Sequence, residues 1–274
     1  MKNGFYVADA HCHVYPDAIA EKAADNTGVF YDVGHELDGR VGTLVEASRL
    51  AGVDHCVIQS VATSPRQVGS INRFIAATVA AGDGFFTGLG TLHPDSEDQR
   101  HEVERIVSLG LHGVKLHPDI QRFRLDDPKA MEIFALCVEY SLPVLLHTGD
   151  KRYDYSNPNR LLPVLERFPT LRVVGAHLGG WSIWEEAVER LKGIPNLWFD
   201  CSSTFAWVDK WKVKTLIEAL GADRVLWGTD YPMWTPKTEL DTFLSLGFDD
   251  ASARSILWEN AAAVFGFPTP AQNA

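Results

Sequence analysis

The residues best suited to chemistry in this 274-residue chain are a set of histidines and one aspartate. Asp9-Ala10-His11-Cys12-His13 follows the short apolar segment Phe5-Tyr6-Val7-Ala8. Side chains two apart on a strand share a face, so His11 and His13 would present two imidazoles side by side, a spacing that suits a metal ion. Further along, His117, His147 and His177 each end an apolar run, and Asp230 follows another in Trp227-Gly228-Thr229-Asp230-Tyr231-Pro232. Imidazoles and one carboxylate, without thiolate, are the donors preferred by zinc or another divalent transition ion. Each residue also has an ordinary structural use. Polar residues can close a strand, a buried histidine can bond a carbonyl, His177 can cap a turn before Gly179-Gly180, and Asp230 can be a turn residue. The chemical reading requires that all of them meet at one rim.

The intervening elements provide for that. Strand patterns at Val53–Ser60, Phe85–Leu92, Gly113–His117, Pro143–His147, Leu171–His177, Leu197–Asp200 and Arg224–Gly228 are apolar enough for burial on both faces. They alternate with helical patterns around Val68–Ala81, Gln99–Leu109, Pro128–Tyr140, Arg160–Phe168, Ile183–Lys192 and Lys212–Leu220. A last helix is predicted over about Asp249–Phe265. With the first strand this makes about eight strand–helix units, the number at which a parallel sheet closes into a TIM barrel with its chemistry at the carboxyl ends of the strands. The fold class predicted is α/β, a (β/α)8 barrel in a single domain over 1–274 with its core at about 5–266. An open doubly wound sheet is the competitor, but neither G-x-G-x-x-G nor G-x-x-x-x-G-K-[ST] occurs. Thr43 and Glu46 predict a capping box for a helix Leu44–Ala51 that stops at Gly52. The segment Val14–Gly42 has weak periodicity except around Ala18–Ala24, and a connection that long reads as a lid over the mouth.

Composition narrows the partners. With 25 Lys+Arg against 36 Asp+Glu, the formal charge of −11 argues against nucleic acid and anionic membranes. It does not bar an anionic substrate, because a bound metal reverses the local field. The four cysteines form no C-x-x-C pair and read as thiols of a reducing compartment. No basic-then-apolar leader and no bilayer-length apolar stretch is present, so a soluble cytoplasmic protein with a small-molecule substrate is expected, with homo-oligomerisation left open.

Five ordered motifs carry a family likeness: Asp9-Ala10-His11-Cys12-His13, Gly113-Val114-Lys115-Leu116-His117-Pro118, Leu142-Pro143-Val144-Leu145-Leu146-His147-Thr148-Gly149, Ala176-His177-Leu178-Gly179-Gly180 and Gly228-Thr229-Asp230-Tyr231-Pro232. On these the chain resembles the amidohydrolase superfamily, specifically its amidohydrolase-related (type 2) branch of TIM-barrel metal-dependent hydrolases, from about Phe5 to Gly266. The resemblance implies that His11, His13, His147 and Asp230 hold a divalent ion, expected to be one zinc, and that His177 acts on substrate or on the metal-bound water. It implies first a hydrolase of a small amide, ester or lactone. There the ion lowers the pKa of bound water from ~15.7 to about 7, Asp230 shuttles the proton and His177 steadies the oxyanion. The alternative it implies is a non-oxidative decarboxylase of an aromatic or unsaturated acid, since the same branch contains such enzymes. A third reading, a barrel that only binds, predicts missing ligands, and none is missing.

Lys115 and His117 share a strand face, with Lys115 the deeper. A carboxylated strand-four lysine bridges two metals in binuclear members of the superfamily; this branch is usually mononuclear, and Lys115 is expected to lie too deep for that. His117 is expected to contact substrate or a ligand. Arg66 could clamp a substrate carboxylate, or be solvated loop charge. Trp181, Trp207, Trp234 and Tyr153 follow four different strands and could form an aromatic wall. His93 reads as a mouth or turn residue, His35 as part of an overhanging loop, and Cys12 as pointing outward.

Overall fold

The computed structural model describes residues 1–269. Its strand segments are β1 (Ala8–His13), β2 (His55–Gln59), β3 (Phe86–Gly88), β4 (Gly90–Thr91), β5 (Val114–Leu116), β6 (Val144–Leu146), β7 (Val173–Gly175), β8 (Leu197–Asp200) and β9 (Val225–Leu226). All pairings are parallel, in the orders β1-β2-β3 and β4-β5-β6-β7-β8-β9. β3 and β4 are halves of one strand split at Leu89, the first paired with β2 and the second with β5. The other seam is closed by the chain just past β9. Ala10 N donates to Trp227 O (3.0 Å), Asp230 N to His11 O (2.9 Å) and His13 N to Tyr231 O (2.7 Å). The result is the ring of eight strand positions expected for a TIM barrel, with every strand's carboxyl end at one rim.

The helices are α1 (Ala20–Tyr31), α2 (Val41–Ala51), α3 (Val68–Ala81), α4 (Gln99–Ser108), α5 (Pro118–Gln121), α6 (Pro128–Glu139), α7 (Pro158–Arg167), α8 (Trp184–Leu191), α9 (Lys210–Leu220), α10 (Pro236–Leu244), α11 (Asp250–Arg254) and α12 (Asn260–Phe265). Strand residues that point outward, such as Val114, Leu116, Val144, Leu146 and Val173, pack with the helices in one apolar layer. Those that point inward, Ala8, Ala10, Val57, Leu89, Leu145, Val174 and Leu226, fill the barrel and are plugged from beneath by Trp258 and Phe265. Above this apolar plug the inward positions turn polar: two residues beyond Leu145 comes His147, and two beyond Val57 comes Gln59.

β1 departs from simple alternation. Ala8 and Asp9 pair with His55 and Cys56, whereas Cys12 and His13 pair with Ile58 and Gln59, so β1 holds one residue more than β2 between the two pairs. This bulge resets the parity of the strand. Ala8 and Ala10 can therefore sit in the plug while His11 and His13 also face inward, and Cys12 packs outward as expected.

Several sequence expectations are corrected. α2 starts at Val41, and Thr43 does not cap it, because its Oγ1 donates to Asp38 Oδ2 at 3.1 Å. The expected stop at Gly52 holds, with φ +86°. Within the predicted lid lies the 12-residue α1, whose buried face is only Ala20, Ala24 and Gly28. Such small residues give a weak apolar periodicity, so only its first turn is visible in the sequence. α10 is an additional helix, and the predicted Asp249–Phe265 helix is α11 and α12 joined by a π turn at Ser255–Glu259. The four cysteines are buried free thiols, and no described helix is long and apolar enough to cross a membrane.

Candidate metal centre

The carboxyl ends of the strands converge as the sequence requires. His11 Nε2 lies 3.1 Å from His13 Nε2 and 3.3 Å from Asp230 Oδ1, and His13 Nε2 lies 3.6 Å from the same oxygen. Gly228 permits this approach, since a Cβ there would stand 3.0 Å from His11 Cβ. Asp230 and His177 both take left-handed backbone conformations, φ +62° and +57°. Non-glycine residues held there carry strain that the surrounding structure must sustain, as is common at functional sites.

His147 is placed beside this group rather than in it. It joins His117 and Asp119 in a second set of donors within 4.8 Å of one another. The His147 and His117 rings stack at 4.0 Å between centroids, and His147 Nε2 is 3.7 Å from Asp119 Oδ2. His177 links the two sets: its ring stacks on His11 at 5.4 Å, and its Nε2 is 3.1 Å from His147 Nδ1.

Backbone groups assign the tautomers. His177 Nδ1 donates to the Ser202 carbonyl (2.9 Å), so its Nε2 accepts from His147 Nδ1–H. At the other end Ile120 N–H donates to His117 Nδ1 (3.3 Å), which leaves His117 Nε2–H to donate to the Tyr31 oxygen at 2.8 Å. The Tyr31 hydroxyl then donates to His147 Nε2 at 3.1 Å. In the first set, His11 Nδ1 donates to Asp200 Oδ2 (2.9 Å), and its Nε2 lone pair therefore faces His13 and Asp230. Asp200 is in turn held by Ser202 Oγ–H and by His177 N–H (3.2 Å), both on Oδ1.

This pattern fits a divalent cation. Two imidazole nitrogens and a carboxylate oxygen point at one another, with the Lys115 ammonium 3.0 Å from His11 Nε2. Burial, followed by the charge of Lys115 and neighbouring imidazoles, holds His13 well below the ordinary histidine value, and burial does the same for His117 and His147. His177 is also lowered, by burial against the pull of Asp230 and Asp200. Neutral imidazole is the ligand form. Burial opposes ionisation of Asp200, but His11, His177 and Ser202 together outweigh it and the carboxyl lies well below the usual range. Asp119 goes the other way: burial pushes it up to about 7, and its Oδ1 has no partner among the described residues.

Lys115 is deeper than His117, as expected, yet its long side chain still reaches the floor of the site. Burial lowers its amine to about 8, with Asp200 and Asp230 opposing. Trp181, Trp207 and Trp234 line the cavity over the site, and Trp234 Nε1 donates to Ser203 Oγ, which donates to Asp230 Oδ2 (2.8 and 2.7 Å). Tyr153 lies further out, stacked on Phe30. Arg66 is not brought in: it is exposed in the turn Pro65–Gln67, outside the cavity lining. His93 is a turn residue whose Nδ1 accepts from Asp95 N, and His35 ties Asp25 to Leu37 beside α1.

Asp200, Tyr31 and Asp119 escaped the sequence reading. Asp200 had a usable signal, as the last residue of a predicted strand. Tyr31 had none, because it reaches the site from a helix of the lid rather than from a strand end.

The sequence profile described as Amidohydrolase matches residues 8–267. The 2-amino-3-carboxymuconate-6-semialdehyde decarboxylase of Dictyostelium discoideum is 26% identical over 200 residues, 59% of this chain and 55% of that one. The match thus spans about half the length of that relative. An uncharacterized TIM-barrel protein of Bordetella bronchiseptica superposes with TM-score 0.78 at 22% identity, over 96% of this chain and 99% of the other. The 5-carboxyvanillate decarboxylase of Sphingomonas paucimobilis superposes with TM-score 0.73 at 18% identity, over 97% and 100%. At these identities the two structures share the fold with this chain.

Proposed function

Because the chain belongs to the amidohydrolase family, we propose that it is a metal-dependent non-oxidative decarboxylase of an aromatic or unsaturated carboxylic acid. The observation that carries this reading is the match to a carboxymuconate-semialdehyde decarboxylase. The site supports it, because a floor of imidazoles and carboxylate lies beneath walls that include Phe30, Trp181 and Trp207. Such walls accept a flat unsaturated body and leave its acid group at the floor. Of the two chemistries implied by the sequence, decarboxylation therefore has more support than hydrolysis.

His11, His13 and Asp230 would hold a divalent ion, joined by His147 once its Nε2 is freed from the Tyr31 hydroxyl, and the ion supplies positive charge to bind and orient the substrate's oxygens. Asp200 keeps His11 in the tautomer that offers Nε2. Ser203 holds Asp230 by its second oxygen. His177 lines the cavity with its Nδ1–H on the Ser202 carbonyl; its Nε2, the acceptor of the His147 N–H, is assigned to take up a proton when the acid binds and to deliver it to the carbon that bears the carboxylate. The carbon–carbon bond then breaks, its electron pair restores the unsaturated system, carbon dioxide leaves, and His177 regains a proton from water.

The test is incubation of the metal-loaded protein with hydroxybenzoates and unsaturated acids in D2O. Carbon dioxide release with one deuterium at the vacated carbon is expected. Cleavage of lactones or amides without carbon dioxide from any acid would overturn the proposal in favour of hydrolysis.

A further inference from the structure

The cavity over the floor has a volume of about 600 Å3, several times that of a single-ring acid. Its walls are apolar on several sides: Phe30 from α1, Ile71 and Phe74 from α3, Trp181 beyond β7, Trp207 beyond β8 and Met233 beyond β9. Among the described lining residues the charged ones are Lys115 and Asp230, both on the floor, and Lys22, which is exposed at the mouth. No arginine is among the described lining residues.

Arg152, which packs on the lining residues Phe30, Tyr31 and Trp181, is already committed. It pairs with Asp150 through Nε and Nη2 (3.0 and 2.7 Å), and its Nη1 donates to Phe30 O at 2.7 Å. Its Cζ lies 5.0–5.4 Å from the ring centroids of Phe30, Tyr31, Tyr153 and Trp181. A second carboxylate on a substrate would thus leave water for an apolar wall with no cation to receive it, which is strongly unfavourable. An apolar extension would be buried there instead.

Resting on the reading of the floor as the acid-binding end, we infer that the ligand class is an aromatic monocarboxylic acid bearing a bulky apolar extension, such as a fused second ring. The single carboxylate goes to the floor, and the extension lies against Ile71, Phe74 and Met233. Discrimination against dicarboxylic acids is built into the apolar walls, which carry no cation between the floor and Lys22 at the mouth.

The test compares three hydroxy acids on the metal-loaded protein: 1-hydroxy-2-naphthoate, salicylate and 4-hydroxyisophthalate. Binding is read by calorimetry and by quenching of the cavity tryptophans, with carbon dioxide measured in parallel. The hydroxynaphthoate is expected to bind at least about tenfold tighter than salicylate, and the hydroxyisophthalate no tighter than salicylate. Ile71→Arg is expected to remove most of the hydroxynaphthoate advantage and strengthen the dicarboxylate. Phe74→Ala, which adds no charge, should weaken the hydroxynaphthoate alone. The inference is overturned if the dicarboxylate binds tightest, if the second ring brings no gain, if none of the three binds, or if neither variant changes the order. Tight hydroxynaphthoate binding without carbon dioxide release would leave the ligand class standing and remove only the decarboxylase reading.

Discussion

Replacing Asp200 with asparagine probes the centre without touching a proposed ligand. Four donors converge on this carboxylate: His11 Nδ1–H on Oδ2, and Ser202 Oγ–H, Ser202 N–H and His177 N–H on Oδ1. An amide has one oxygen. The backbone N–H of His177 cannot become an acceptor, so the amide oxygen must take the Oδ1 place and the NH2 group must face His11. His11 then accepts at Nδ1 and carries its proton on Nε2, the nitrogen that points at His13 and Asp230. The lone pair needed for a metal is capped. Loss of such an outer partner typically weakens metal binding by about 10–100-fold, or about 1.4–2.8 kcal/mol. The assay is competition with a chromophoric chelator to obtain the dissociation constant, with thermal unfolding of the metal-free protein as a control for folding. Asp200→Asn should show the weaker metal constant with a metal-free Tm close to that of the parent, because the lost charge-assisted bond is offset by no longer burying a charge. A metal constant within twofold of the parent would refute the tautomer argument and with it the role assigned to Asp200.

Other outcomes follow from the same geometry. Tyr31→Phe removes the hydroxyl that occupies His147 Nε2, so metal binding should tighten by up to about tenfold, the worth of one net hydrogen bond; unchanged or weaker binding in the same titration would show that the phenol does not compete. Chelation should lower the Tm of the metal-loaded protein by roughly 5–10 °C, as expected for an ion bound at 100 times its dissociation constant, and His11→Ala should abolish that shift; a variant that keeps it would remove His11 from the centre. Glu239 on α10 is buried with Oε2 unpartnered among the described residues. Burial first, then Glu36, Asp9 and Asp230, push its carboxyl from 4.5 up to about 8. The unfolded chain therefore releases this proton first, and folding stability falls as pH rises between those values. Glu239→Gln, neutral throughout, should become progressively more stable than the parent from pH 5 to 8, by up to about 4 kcal/mol, and a difference flat across that range in thermal scans would contradict the burial argument.

The fold and much of the site were legible in the sequence because both rest on local periodicity. Apolar runs alternating with helical patterns specify parallel strands, and parallel strands send their carboxyl ends to one rim, so His11, His13, His147, His177 and Asp230 could be placed near one another from strand ends alone. What the tertiary structure decided depends on groups distant in the chain. The bulge in β1, which lets Ala10 and His11 both face inward, is a register relation with β2. The tautomer of His11 is set by Asp200, 189 positions away, and the neighbours of His147 include Tyr31 from a helix whose small-residue face carries little periodic signal. Arg66 and Arg152 look alike as loop arginines and both remain exposed, yet only the tertiary structure commits Arg152, to Asp150, the Phe30 carbonyl and the rings around it. Residue types and spacing state which chemistry a chain can carry; which lone pair faces which partner, and which charge is free to meet a ligand, are properties of contacts that periodicity does not encode.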